Sequence, residues 1–386
     1  MIYFISYIKI LTREVSLDDT KRRKGSKIMS EFEQTQEMVE EAQPTVPVQP
    51  QGEYTRIIGL DVANSTLKIW TDELNLKYVN TIRQINDAGL VYSFKTDYQM
   101  YVYDKAVYEV GVVSAAGSGG RGVSRYGSEQ YKIEALIGIT SCLKEIPNIS
   151  DHEVLRVVTG VPSSLAKNQK VITQIKQMLT GVHEVKSVTW ENVRPITFEI
   201  REVIVVPQPL GTMYDYVYDP EADALNEKLL DQRAIVIDIG WGTTDIAILE
   251  TARVRSTFSF DIGTSDYISD LQEDVNSNVP EASIFSLSPH ELDLSLLESP
   301  VVETPFGQYD LSAYIEKHSK NQAKRVYQEV MGLGLEFNKF YKIILTGGGS
   351  LLYEKYLREF FNDPRLVIQN NAVMANCRGF WLLGNY

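Results

Sequence analysis

One device occurs twice in this chain. GLDVANSTLKIW (59–70) and VIDIGWGTTDIAIL (236–249) each pass from an apolar strand to an aspartate, small residues and hydroxyl side chains, then into a second apolar strand. A single copy reads as an ordinary Gly/Asp hairpin turn. Two matched copies point to a shared chemistry. Asp61 and Asp238 stand at the C-terminal ends of their strands, and the small turn residues let backbone N–H groups approach an anion. Ser65 and Thr66 in the first turn, and Gly240, Gly242, Thr243 and Thr244 in the second, are the candidate contacts for that anion. Asp61 and Asp238 can hold a hydrated Mg²⁺ through its waters, and Lys68 can reach the same anion as a point charge. Asp245 reads equally as part of the metal shell or as a turn stabiliser.

A third element, IILTGGGSLL (343–352), runs from a buried strand into three glycines and an expected helix start. Gly347, Gly348 and Gly349 would let a nucleotide base or phosphate lie on bare backbone near a helix N-terminus. No GxxxxGK[ST] pattern occurs, which removes P-loop chemistry. The loop GSGGRG (117–122) does not sit between a strand and a helix, and is expected to be an exposed flexible loop.

At 386 residues the chain is long enough for two or more domains. Its net charge of −13 lacks the basic footprint of a nucleic-acid binder, so no direct contact with nucleic acid is expected. Cys142 and Cys377 are far apart and build neither a disulfide framework nor a zinc pattern, which suits a cytosolic setting. The four histidines lack metal-ligand spacing.

The first 53 residues differ from the rest. MIYFISYIKIL is too short to span a bilayer and reads either as an interfacial anchor or as part of an annotation artefact covering residues 1–28, with Met29 the true start. Residues 30–53 carry six glutamates, three prolines and no Lys or Arg, and are expected to be disordered. From Tyr54 onward, strands precede helices twice, over 54–216 and 231–386, which indicates two similar α/β halves. Strands are expected at RIIGLDV, STLKIW, LVYSF, MYVYD, YEVGVV, LRVVTGVP, ITFEIREVIVV and KIILT. Helices are expected at EQYKIEALIGITSCLKEI, AKNQKVITQIKQML and KNQAKRVYQEVMGLGLEF.

The three motifs, in this order and spacing, resemble the phosphate 1, phosphate 2 and adenosine motifs of the actin, sugar-kinase and heat-shock chaperone superfamily. VIVVPQPLGTMYD (203–215) resembles its first connecting helix. TGVPSSL, FDIGTSDYISDL and ANCRGFWLLG resemble bacterial plasmid-segregation actins of the ParM type. The resemblance implies an α/β, actin-like fold of two ribonuclease H-like domains with a nucleotide cleft between them. Domain I would cover 54–216, completed by 365–386, and domain II 217–364. It further implies ATP or GTP with Mg²⁺ in the cleft, and Gln208 positioning the attacking water. Lys324 or Arg325 would flank the base, and Asn64, where actins often have Ser, would join the phosphate contacts.

The implied activity is nucleoside-triphosphate hydrolysis coupled to a dynamic cytoplasmic filament of self-associated copies. That filament would move plasmid DNA through an adaptor protein bound to a centromere-like site. Two departures stand out: Ala63 replaces the usual Gly, and Trp241 replaces a small residue. The alternatives are a membrane-associated shape or division filament, supported only by the leading apolar run, and a small-molecule kinase of the same fold. The kinase would need an acidic base in a sugar pocket.

Overall fold

The computed structural model describes residues 54–63, 65–80, 82–85, 99–110, 125–188, 192–279, 289, 292–293, 296, 299–304 and 307–386. The leading apolar run, the acidic segment to residue 53, Asn64, LVYSF and the 117–122 loop lie outside them.

The first hairpin is β1 (Arg56–Val62) and β2 (Thr66–Trp70), followed by β3 (Asn75–Val79), β4 (Ile82–Ile85), β5 (Gln99–Tyr103) and β6 (Ala106–Val110). Helix α1 (Glu129–Leu143), β7 (Glu153–Val161), α2 (Gln169–Leu179), β8 (Gly181–Val188) and β9 (Val193–Pro207) come next. These strands form one sheet in the order β3-β2-β1-β7-β9-β8-β5-β6-β4. Its centre, β1-β7-β9, is parallel, and all other pairings are antiparallel. Buried on both faces, β7 has the near-continuous apolar run that a central parallel strand needs. Both helices start on side-chain caps: Ser128 accepts from the Tyr131 amide, and Asn168 from the Val171 amide.

β9 passes directly into α3 (Gln208–Val217), and a small hairpin, β10 (Tyr218–Asp219) and β11 (Ala224–Leu225), precedes α4 (Glu227–Leu230). The second hairpin is β12 (Ala234–Ile239) and β13 (Thr244–Glu250), extended by β14 (Arg253–Phe260). There follow α5 (Thr264–Asn278), the hairpin β15 (Val301–Thr304) and β16 (Gly307–Asp310), and α6 (Ser312–Gly332). The chain ends with β17 (Lys342–Thr346), α7 (Gly348–Leu352), α8 (Glu354–Phe361), β18 (Leu366–Ile368) and α9 (Ala375–Asn385). The second sheet runs β14-β13-β12-β17-β18, with β12, β17 and β18 parallel.

Alternation along β12 divides its side chains between two cores. Ile235, Ile237 and Ile239 face the core made with α5 and α6 residues such as Ile268, Leu271 and Val326. Ala234 and Val236 face the opposite core, filled by Met213 and Val217 of α3. Burying each such aliphatic side chain is worth about 1.5–3 kcal/mol, so α3 is held firmly to the second sheet. Helix α9 instead lies on β1 and β7 of the first sheet. The two helices pack on each other at Gly211 and Gly379, where a Cβ on Gly379 would fall 1.7 Å from the Gly211 carbonyl oxygen.

Three expectations need correction. β8 was not anticipated, although GVHEVKSV alternates as a half-buried strand should. α6 starts at Ser312 rather than near residue 320, because Ala313 to Ser319 continue the helix without a breaker. The segment from 365 does not return at once to the first sheet: Leu366–Ile368 is an edge strand paired with β17, and only α9 rejoins β1.

Candidate functional site

Both hairpins share one register. Asp61 pairs across the strands with Lys68, and Asp238 with Asp245. The first hairpin therefore brings its own countercharge: Lys68 Nζ lies 2.9 Å from Asp61 Oδ2, with the carboxylate side chain 2 % exposed. Burial works against the Lys68 charge, but the Asp61 ion pair and the field of Asp238 raise its pKa above the ordinary lysine value. The second hairpin sets one carboxylate opposite another. Burial pushes Asp238 up to about 6; Lys68 opposes the shift, while Asp245 and Asp61 add to it. Lys68 thus feels carboxylates from both sheets.

The first turn is clamped by Asn80, which the sequence reading did not single out. Its side-chain amide donates to the Ala63 carbonyl at 2.9 Å, and its backbone N–H to the Ser65 carbonyl at 2.9 Å. The same side chain donates to Glu134, a fully buried acid on α1 that also takes Arg125 and Gln130. The carbonyls of Ala63 and Ser65 are thus both held by Asn80. Ala63 keeps φ negative, so its Cβ is accommodated without strain. One cue to this network was legible: Glu134 is a lone acid in the apolar run of α1.

The second turn rests on the start of α5. The Thr264 amide and hydroxyl both donate to the Gly240 carbonyl, and the Ser265 amide donates to that of Trp241. Trp241 packs its side chain against the core of the second sheet, which accounts for a bulky residue in this turn. The hydroxyls expected to be free donors are engaged here. Thr243 donates to Asp245 at 2.8 Å, and Thr244 donates to the Ile262 carbonyl at 2.7 Å. Gly242 lies exposed, with nothing within 4 Å of a Cβ built on it.

The three glycines after β17 have three different environments. Gly347 has φ +80°, and a Cβ there would fall 2.4 Å from both Asp238 Oδ1 and the Ile239 carbonyl. Gly349 would drive a Cβ into the Ile239 side chain. Gly348 alone is exposed, with open space around its Cβ position. Two of the glycines thus seat the third motif against the second hairpin, and one leaves backbone open.

Gln208, the first residue of α3, places its amide nitrogen 3.4 Å from Asp61 Oδ1. Asn376 of α9 donates to Asp238 Oδ2 at 3.0 Å, a contact found in a segment read only for its resemblance. Ser65 and Thr66 are half-buried beside the first turn. Arg325 is exposed and bonds Gln322 Oε1, while Gln322 Nε2 donates to the Gly263 carbonyl just below the second turn. Lys324 is exposed on the same helix.

The residues fit a metal-bound polyphosphate. Lys68 is ion-paired with Asp61 and also lies in the field of Asp238, whose charged form is disfavoured by burial and by Asp245, so a cation beside Asp238 would offset that charge. Among the described residues no group of three or more His, Cys, Asp or Glu side chains is placed to hold a metal. A cation here would keep water and phosphate oxygens as most of its ligands, as Mg²⁺ does.

Two sheets, each opening on an Asp-bearing hairpin and joined by a pair of crossing helices, define the actin-like fold. The chain belongs to the actin-like protein family: a model of the actin-like proteins' N-terminal domain matches residues 59–211, and one of the archaeal actin homologue MreB-like C-terminal domain matches 236–359. Among solved structures it is similar to the apo psk41 ParM protein, at 17 % identity over 86 % of this chain and 97 % of that one, with a TM-score of 0.64. The archaeal actin homologue Ta0583, in complex with ADP, is similar at 19 % identity over 86 % and 99 %, with a TM-score of 0.65. A 15-stranded ParM filament from Clostridium botulinum gives the same four values. No curated protein matches the chain.

Proposed function

We propose that this protein binds ATP or GTP with Mg²⁺ between its two hairpins, hydrolyses it, and assembles into cytoplasmic filaments whose turnover follows hydrolysis. The observation that carries the reading is the meeting of Asp61, Lys68, Gln208 and Asp238 from two sheets, beside the open backbone of Gly348.

When bound, the Mg²⁺-nucleotide supplies the phosphoanhydride to be cleaved and the cation that offsets its charge. Lys68 provides a fixed positive charge for phosphate oxygens, and the two turns provide backbone donors, with Asn64, Ser65 and Thr66 on one side and Gly242, Thr243 and Thr244 on the other, while Gly240, whose N–H donates to the Thr243 carbonyl, shapes the second turn. For Thr243 or Thr244 to contribute a hydroxyl, its present bond to Asp245 or Ile262 must be exchanged. Asp61 and Asp238 orient metal waters. Gln208 aligns the attacking water and positions it only, because an amide cannot take up the proton at neutral pH. Arg325 or Lys324, both exposed on α6, would flank the base. Residues 54–216 with α9 form one domain and 217–368 the other, so a ligand gripping both hairpins ties the domains together.

Filament formation is supported by the fold shared with the ParM filament. Plasmid movement through a DNA-bound adaptor is the role we infer for it; the acidic net charge fits an adaptor better than direct DNA contact. The test is Gln208→Ala. It should retain nucleotide binding and assembly but slow phosphate release by about 10²-fold or more and lengthen filament lifetime. Phosphate release at the wild-type rate would remove Gln208 from the mechanism.

A further inference from the structure

Asn376 makes two side-chain hydrogen bonds, and both have a fixed direction. Its Nδ2 donates to Asp238 Oδ2 at 3.0 Å, and its Oδ1 accepts from the Thr212 hydroxyl at 2.6 Å. The Thr212 carbonyl accepts from Gln369 Nε2 at 3.1 Å, and the same nitrogen donates to Asp215 Oδ2 at 2.8 Å. Asp215 Oδ1 takes Arg378 at 3.0 Å, and the Arg378 guanidinium lies over the rings of Trp70 and Tyr218. Thr212, Gln369 and Asn376 are each at most 7 % exposed. A buried polar chain thus runs from the carboxylate at the end of β12, through α9 and α3, to Trp70 at the end of β2.

Helices packed as closely as α3 and α9 have no need of such a chain for cohesion. A buried amide costs free energy unless both of its ends are satisfied, and an apolar residue could fill the same place. What the amide supplies is direction: it selects one carboxylate oxygen of Asp238 and leaves Oδ1 aimed toward the bare backbone of Gly347, 2.4 Å from where a Cβ would stand.

We propose that Asn376 is a positioning residue: it fixes the carboxylate of Asp238 for the metal waters and, through Thr212, links that orientation to the α3–α9 helix pair joining the two sheets. The inference rests on the reading of Asp238 as a residue that orients metal waters. Thr212 then acts in series with Asn376, and losing either should weaken the same step.

The test uses the full chain and titrates fluorescently labelled ATP and GTP, once with Mg²⁺ and once with EDTA. Asn376→Ala should weaken Mg²⁺-nucleotide binding about tenfold, as loss of an outer-shell partner does, and change binding in EDTA less than about twofold. Thr212→Val should show the same Mg²⁺-selective loss at about threefold, and Thr212→Ser should bind as wild type. The double variant should be no weaker than Asn376→Ala alone, because the two act in series. Equal losses with Mg²⁺ and EDTA, or additive losses in the double variant, would overturn the inference and leave the nucleotide reading standing. If Asn376→Ala does not fold, Thr212→Val decides alone: a loss confined to Mg²⁺ supports the inference, and any other result ends it. A wild-type chain that binds neither nucleotide overturns both readings.

Discussion

Asp61 and Asp238 occupy the same position in two like hairpins, yet their cross-strand partners give them opposite electrostatics. Lys68 neutralises the first, while Asp245 faces the second. That difference was written in the sequence, since each partner lies seven residues after its aspartate. The glycine triplet was legible as a motif but not in its parts, because only the approach of β12 shows which glycines are packed. Gly347→Ala should cost about 1–3 kcal/mol from its backbone alone, because φ +80° with ψ 165° is a region glycine alone adopts readily, and more from the clash with Asp238. It should abolish nucleotide binding. Gly348→Ala should leave stability unchanged or raise it by about 0.5–1 kcal/mol, yet weaken nucleotide binding, because its Cβ would stand on the open backbone proposed for the ligand. Thermal unfolding and nucleotide titration of the two variants separate these outcomes. Equal behaviour of both would contradict the assignment.

Among the elements, α3 and α9 form the seam between the sheets, and their pairing joins residues more than 160 positions apart, Thr212 with Asn376 and Asp215 with Arg378. Resemblance to known motifs marks both segments in the sequence. It cannot say which residues meet across the seam, and so Asn376 escaped notice; Asn80, outside both helices, escaped because the turn it clamps lies 17 residues before it. Asp215 gives the seam a pH dependence. Burial raises it to about 6, outweighing the opposing Arg378. The fold therefore favours the protonated acid, and this contribution is complete below the ordinary aspartate value near 4 and lost as the pH climbs to 6. Asp215→Asn should not show that loss. Wild type should fall relative to the variant by up to about 3 kcal/mol between pH 4 and 6, with a constant gap at higher pH. Urea unfolding at pH 4.5, 5.5 and 7 measures it, and a gap that does not vary with pH would refute the shift.

For the whole molecule, the division into two α/β halves followed from strands preceding helices twice along the chain, while the way the halves join depended on contacts distant in sequence. α3 leaves the first sheet and buries Met213 and Val217 on the second, and α9 returns the chain to β1. A ligand held by both hairpins, as proposed, would therefore bear on the relation between the sheets, and its hydrolysis would alter any surface that depends on that relation. The most direct measurement is light scattering of the purified chain on addition of ATP or GTP with Mg²⁺, with phosphate release followed in parallel. Scattering should rise on nucleotide addition, decline as phosphate is released, and hold a sustained plateau with a non-hydrolysable analogue. No rise with either nucleotide, at protein concentrations up to the solubility limit, would contradict the proposed assembly.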